Sequence, residues 1–302
     1  MRCRKRLAGN QDRSKERKRK KVMVEAKYPV QPEQEKESPV IDRQKVRELF
    51  AEYVSDFDAS DGKIKLKIDH TYRVAAFCDR IADSLSLTGA DKDVAWLLGM
   101  LHDIGRFKQI REYGTFDDSV SIDHALASVQ VLFDEGNIRS FIETEAYDEI
   151  IYTAIRYHNA FRLPETLSRR MQMFCDLIRD ADKVDIFRVN TEIPLTVIYG
   201  QQAENAPFEE VTEEVMTDYI QQRCVLRAKK KNAVDHVAGH ASLAFELVYP
   251  VSLQIACEQG YLKKLLLYPT QNEVAKQQFE KMRSVMQSYC AGRGVRLSFD
   301  GE

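Results

Sequence analysis

Four histidines and a short acidic run, spread between residues 70 and 185, have the types and spacing of a metal-ligand set. His70 lies in "KIDHTYRVAAF", His102 in "MLHDIGRF", His124 in "SIDHALASVQVLF" and His158 in "AIRYHNAFRLPE". The segment "LIRDADKVDIF" adds Asp180, Asp182 and Asp185 on an otherwise apolar helix. His102 and Asp103 stand side by side at the end of the apolar run "LLGML". Burying an imidazole beside a carboxylate there costs free energy unless both find partners. Imidazole nitrogen together with carboxylate oxygen suits Fe, Mn, Co, Ni or Zn, whereas an all-oxygen shell would point to Mg or Ca. Six ligands exceed what one ion with an open position can use, but two ions bridged by a carboxylate use them all. Such a pair can clamp a phosphoryl group while activating a water. Neighbouring side chains at a helix end diverge by about 100°, so His102 can ligate one ion while Asp103 spans both.

The elements that must position these residues are expected to be helices. Ile68, Tyr72, Ala75, Cys78, Ala82 and Leu85 fall on one helical stripe, and strand-like alternation is nearly absent. Asp91 is expected to cap a helix over about 92–104 that Gly105 ends, and Ser121 to open one that closes at Gly136. Further helices fit 44–57, 146–159 and 168–189. Pro194, Gly200 and Pro207 mark a break, after which 208–224, 232–248 and 272–290 read as three more. The fold class is therefore all-α, with no internal repeat of 20 to 50 residues. A chain of 302 residues, 44% of them hydrophobic, can bury one sizeable core or one core plus a smaller annex.

Taken in order, His70, the doublet His102-Asp103 followed by "IGR", His124 with small residues after it, His158, and Asp182 in "DADK" resemble the HD-domain superfamily of metal-dependent phosphohydrolases. The resemblance covers about residues 41–190. It implies an HD helical bundle over 41–195, with 196–302 as a C-terminal helical extension packed on it and shaping the pocket. It further implies that His70, His102, Asp103 and Asp182 hold one metal, and that Asp103, His124 and His158 hold a second. Mononuclear members lack equivalents of the last two histidines, so this chain resembles the binuclear branch. Asp182 is preferred to Asp180 because it precedes a lysine as the family's aspartate does. Asp180 is left as a helix-surface or supporting carboxylate.

The implied reaction is hydrolysis of a phosphate ester or anhydride, of a nucleotide by extension, by a metal-activated hydroxide at two divalent transition-metal ions. Iron or manganese comes first, then cobalt, nickel or zinc. The metals and a nearby cation would stabilise charge on the phosphoryl oxygens. Arg106, where the family often has lysine, would grip phosphate bidentately, and Lys183, next to the last ligand, would act as a point charge. Cyclic-di-GMP phosphodiesterases of this superfamily carry a second adjacent histidine and a downstream Gly-Tyr-Pro signature. Here His158 is followed by Asn159 and "AFRLPE", which argues against that substrate. Two rival readings share the ligand order: a mixed-valence di-iron oxygenase of the HD fold, and a non-catalytic sensor that binds metal or nucleotide. Oxygen consumption and a di-iron spectrum separate the first from a hydrolase.

The formal charge of −2 divides unevenly. Residues 1–21 hold 11 Lys or Arg and 2 Asp or Glu, a net +9, which leaves the remainder at −11. An acidic body argues against nucleic-acid binding except through this basic arm, and the expected partner is a small phosphorylated molecule. Residues 1–40 read as a disordered basic arm and a linker, with Met23 as an alternative start of translation. No stretch is apolar enough to span a membrane and no secretory signal is recognisable, so a cytoplasmic location is expected; a homo-oligomer is left open. The six cysteines (Cys3, Cys78, Cys175, Cys224, Cys257, Cys290) form no C-x-x-C pair and are read as thiols without a role. His236 and His240 are spaced i, i+4 but Val237 breaks the H-E-x-x-H pattern, so they are read as packing residues. The aromatics of "REYGTF" and "HNAFRL" are candidates for a base-stacking pocket or for lid and core positions.

Overall fold

The computed structural model describes residues 41–299; the expected arm and linker at 1–40, with Cys3, lie outside the described residues. The helices run α1 (Arg43–Val54), α2 (Gly62–Ser84), α3 (Gly89–Leu101), α4 (Gly105–Tyr113), α5 (His124–Val129), α6 (Ile138–Phe141), α7 (Asp148–Arg156), α8 (Arg169–Glu192), α9 (Leu195–Tyr199), α10 (Glu213–Ile220), α11 (Ala233–Ala241), α12 (Pro250–Glu258), α13 (Tyr261–Leu266) and α14 (Glu273–Gly292). The fold is all-α, and no strand occurs among the described residues. No helix among them is long and apolar enough to cross a membrane.

Capping chemistry sets the main boundaries. Asp42 accepts from the amides of Gln44 and Lys45 at the start of α1, Asp61 from Lys63 at α2, and Ser168 from Met171 at α8. Each satisfies donors that have no partner within the helix. Helix α3 is buried on all sides from Val94 to Leu101 and forms the centre of the bundle, against α1, α2, α7 and α8. Gly99 permits this approach: a Cβ there would lie 2.4 Å from Ala75 Cα on α2. Helix α8 also packs against α12 and α13, and one hydrophobic core runs from Ile41 to Cys290.

Several expected boundaries are corrected. The helix placed at 92–104 starts three residues earlier, after Thr88, and ends at Leu101, so Asp91 sits in its first turn instead of at its cap. Gly105 opens α4 and does not end α3, because its missing side chain lets the backbone pass against α5. The cap of the next helix is Asp123, which accepts from Ala125 and Leu126, and not Ser121. That helix turns into a π segment, Gln130–Asp134, before Gly136 closes it at φ 77°. The break after Pro194 contains the short helix α9 and a 3₁₀ segment, and α12 and α13 escaped the sequence reading because they run only 9 and 6 residues.

Asp180 is not a surface carboxylate. It is fully buried, and it accepts from the amides of Val248 and Tyr249 at 2.9 Å where the chain enters α12. Burial pushes its carboxyl up to about 6, against the pull of Lys183 and those amides.

Candidate metal centre

The bundle brings the four histidines and two aspartates to one place. Helix α2 carries His70, the turn after α3 carries His102 and Asp103, α5 opens on His124, the turn after α7 carries His158, and α8 carries Asp182. The two oxygens of Asp103 divide these partners. Oδ2 lies 3.7 Å from His70 Nε2 and 3.8 Å from His102 Nε2. Oδ1 lies 3.6 Å from His124 Nε2 and 3.7 Å from His158 Nε2. Asp182 Oδ1 joins the first group, 3.2 Å from His70 Nε2 and 3.9 Å from His102 Nε2. All of these ligand groups except Asp182 are essentially buried.

Every imidazole is oriented by its other nitrogen. His102 Nδ1–H donates to Gly99 O at 2.9 Å and His158 Nδ1–H to Ile155 O at 2.7 Å, both carbonyls three residues back in the chain. A carbonyl only accepts, so these rings present Nε2 as a lone pair. His70 Nδ1 bonds Asp185 Oδ2 at 2.9 Å, and His124 Nδ1 bonds the Asp118 carboxylate. The Nε2 atoms then face one another, 3.3 Å apart for His70 and His102 and 3.0 Å for His124 and His158. Asp103 Oδ1 is buried with no hydrogen-bond donor. Lone pairs aimed at one another and an orphaned carboxylate oxygen are satisfied by cations, so the donor set fits metal ions. A carboxylate or carbonyl behind each ligating imidazole is the usual support of such sites.

Protonation states agree with this. Burial pushes the His102 imidazole down to about 3, and burial also holds His124 below its ordinary value against the pull of Asp118. For Asp103 burial opposes ionisation but is outweighed by Lys67 and His102, and the carboxyl stays well below the usual range. Asp182 and Asp185 are held low in the same way by His70, as Asp118 is by His124. His70 differs: burial lowers it, yet Asp182 and Asp185 together raise it above its ordinary value.

The centre opens on a cleft of about 320 Å³, into which the segment after residue 195 contributes Cys224, Leu243 and Glu246. Arg106 and Lys183 both line it. Arg106 Nη1 is engaged by Asp118 Oδ1 and Phe116 O at 2.7 Å and by Gln109 Oε1 at 2.9 Å, while its Nε, 3.6 Å from Asp103 Oδ1, has no acceptor. Lys183 is lowered by burial and by the neighbouring Arg179. Phe161 of "HNAFRL" reaches the cleft, whereas Tyr113 of "REYGTF" is exposed and Phe116 packs on the core. His236 stacks on Tyr199 with centroids 4.1 Å apart and His240 lies 6.4 Å further along, away from the ligand cluster. Asp118 and Lys67 were not found by sequence reasoning. Their only signals were a carboxylate six residues before His124 and a lysine one turn before His70.

Comparison with known families gives a match to the HD domain over residues 68–187, a span that begins just before His70 and ends just after Asp182. Those residues are an HD domain. No curated protein and no solved structure matches the chain. The HD domain is characteristic of the superfamily of metal-dependent phosphohydrolases, and the clustered His and Asp residues within 68–187 can bind metal ions. Within this HD domain the supporting carboxylates are specific to one side each. Asp118→Asn is expected to weaken metal binding about 10- to 100-fold at the His124–His158 side, and Asp185→Asn by the same factor at the His70 side. Titration against a chromophoric chelator reads both sites, and equal loss at both from either variant would refute the pairing.

Proposed function

We propose that this HD domain hydrolyses a phosphate ester or anhydride of a small molecule, a nucleotide by extension from its family, at a centre of two divalent ions. The supporting observation is the division of Asp103, whose Oδ2 faces His70 and His102 and whose Oδ1 faces His124 and His158. His70, His102, Asp103 and Asp182 would hold one ion, and Asp103, His124 and His158 the other. Bound there, the ions supply Lewis acidity to a phosphoryl oxygen and lower the pKa of a water.

The chain's own residues do the rest. The cleft carries four cationic side chains, Lys67, Arg106, Arg179 and Lys183, against the carboxylates of Asp103, Asp182 and Glu246. With divalent ions added, its field favours a multiply charged anion. Lys183 acts as a point charge on the phosphoryl oxygens. Arg106 offers its unpartnered Nε while its Nη1 keeps Asp118, and through it His124, in register. Leu66, Ile186, Val189 and Leu243 form an apolar wall for the organic part of the substrate.

Elemental analysis of anaerobically purified protein, followed by a phosphate-release screen with and without chelator, tests this. About two metals per chain and chelator-sensitive phosphate release are expected. Two irons with oxygen consumption and no phosphate release would favour the oxygenase, and protein without metal would overturn the proposal.

A further inference from the structure

One cation of the cleft is placed differently from the others. Lys67 lies one helical turn before His70 on α2, and its Nζ donates to Asp103 Oδ2 at 2.7 Å. That oxygen is the one shared with His70 and His102. The Lys67 side chain is 19% exposed, against 3% for His70 and Asp103, so it approaches the centre from the cleft that it lines. Arg106 is tied by three acceptors on Nη1, and Arg179 is spent on the carbonyls of Tyr157 and Ala160 that flank His158. Lys67 thus combines a bond to the bridging carboxylate with a flexible stem and access to the cleft.

We propose that Lys67 is an exchangeable cation of this centre: its ammonium holds Asp103 Oδ2 until a divalent ion takes that oxygen, and then turns to the phosphoryl oxygens of the substrate. The inference rests on the two-ion reading above. A monovalent ammonium and a divalent ion compete for the same carboxylate oxygen, and a lysine beside bound divalent ions is repelled by them unless an anion lies between. Its four-carbon stem lets it follow the charge, and three rotatable N–H donors suit phosphoryl oxygens. Lys67 therefore weakens metal binding and strengthens anion binding.

The test uses the full chain, freed of metal, in three forms: wild type, Lys67→Met and Lys67→Arg. Calorimetric titration with Mn²⁺ is followed by titration of the Mn²⁺-loaded protein with inorganic phosphate. Lys67→Met should bind Mn²⁺ about three- to tenfold more tightly and phosphate about tenfold more weakly, while Lys67→Arg stays within about threefold of wild type for both. Met matches the stem of Lys, and a thermal melt shows that the variant is folded; Lys67→Gln replaces it if it is not. Unchanged or weaker Mn²⁺ binding, unchanged phosphate binding, or an arginine variant as altered as the methionine one would overturn the inference. If wild type itself takes up no metal the two-ion reading falls and Lys67 with it, whereas metal uptake unaffected at Lys67→Met sinks this inference alone.

Discussion

Asp103→Ala is expected to strip both metals, taking the chain from about two ions to almost none and phosphate release down by on the order of 10³-fold or more. The two oxygens of Asp103 divide between the two groups of histidines: Oδ2 faces His70 and His102 at 3.7 and 3.8 Å, and Oδ1 faces His124 and His158 at 3.6 and 3.7 Å. Removing it leaves each side two or three ligands and deletes the anion that offsets the charge of both ions. His158→Ala is the contrasting variant. It should chiefly deplete the ion on the Oδ1 side, since His70, His102 and Asp182 keep their places on the other. Elemental analysis of the two variants beside wild type reads the difference directly. Full metal content in both would end the assignment of Asp103 as the bridge.

Gly105→Ala should cost about 3 kcal/mol of stability and disturb the centre as well. A Cβ at Gly105 would stand 2.2 Å from Ser128 N, 2.5 Å from Ala127 C and 2.8 Å from His124 O. These are backbone atoms, so no side-chain rotation relieves the clash and α4 must move away from α5. The seam also holds the ligands. Gly105 N–H donates to Ser128 Oγ at 3.0 Å, and Ser128 Oγ–H reaches His102 O at 2.7 Å or His124 O at 2.9 Å. Separating the helices therefore shifts His124 relative to Asp103. A fall in Tm of about 4–6 °C for the metal-free protein is expected from a loss of this size in a chain of about 300 residues. Weaker metal binding on the His124 side should accompany it. A melting temperature within about 1 °C of wild type would mean that this seam is looser than its atoms imply.

Helical periodicity and the order of chemically distinctive residues were enough to determine the all-α class, the stretch that carries the site and the inventory of histidines and aspartates at its centre. Those signals are local: a stripe at 3.6-residue spacing, a polar doublet closing an apolar run, Ser168 and Asp42 at helix starts. The roles of neighbouring residues were decided only in three dimensions. Nothing near Asp180 in the chain marks it as the acceptor for amides 68 and 69 residues away, and nothing near Asp118 marks it as the support of His124. Gly105 read as a helix stop, because a glycine after a helical pattern usually ends it. Its actual use, a backbone-to-backbone crossing with α5, depends on a partner 23 residues on. Lys67 was invisible for the same reason, since its meaning comes from Asp103, 36 residues away. The candidate ligands follow from residue type and order. Which carboxylate stands between the two pairs of histidines, which one orients a ring and which cation faces the cleft follow from packing, because each depends on contacts between elements that the chain does not place side by side.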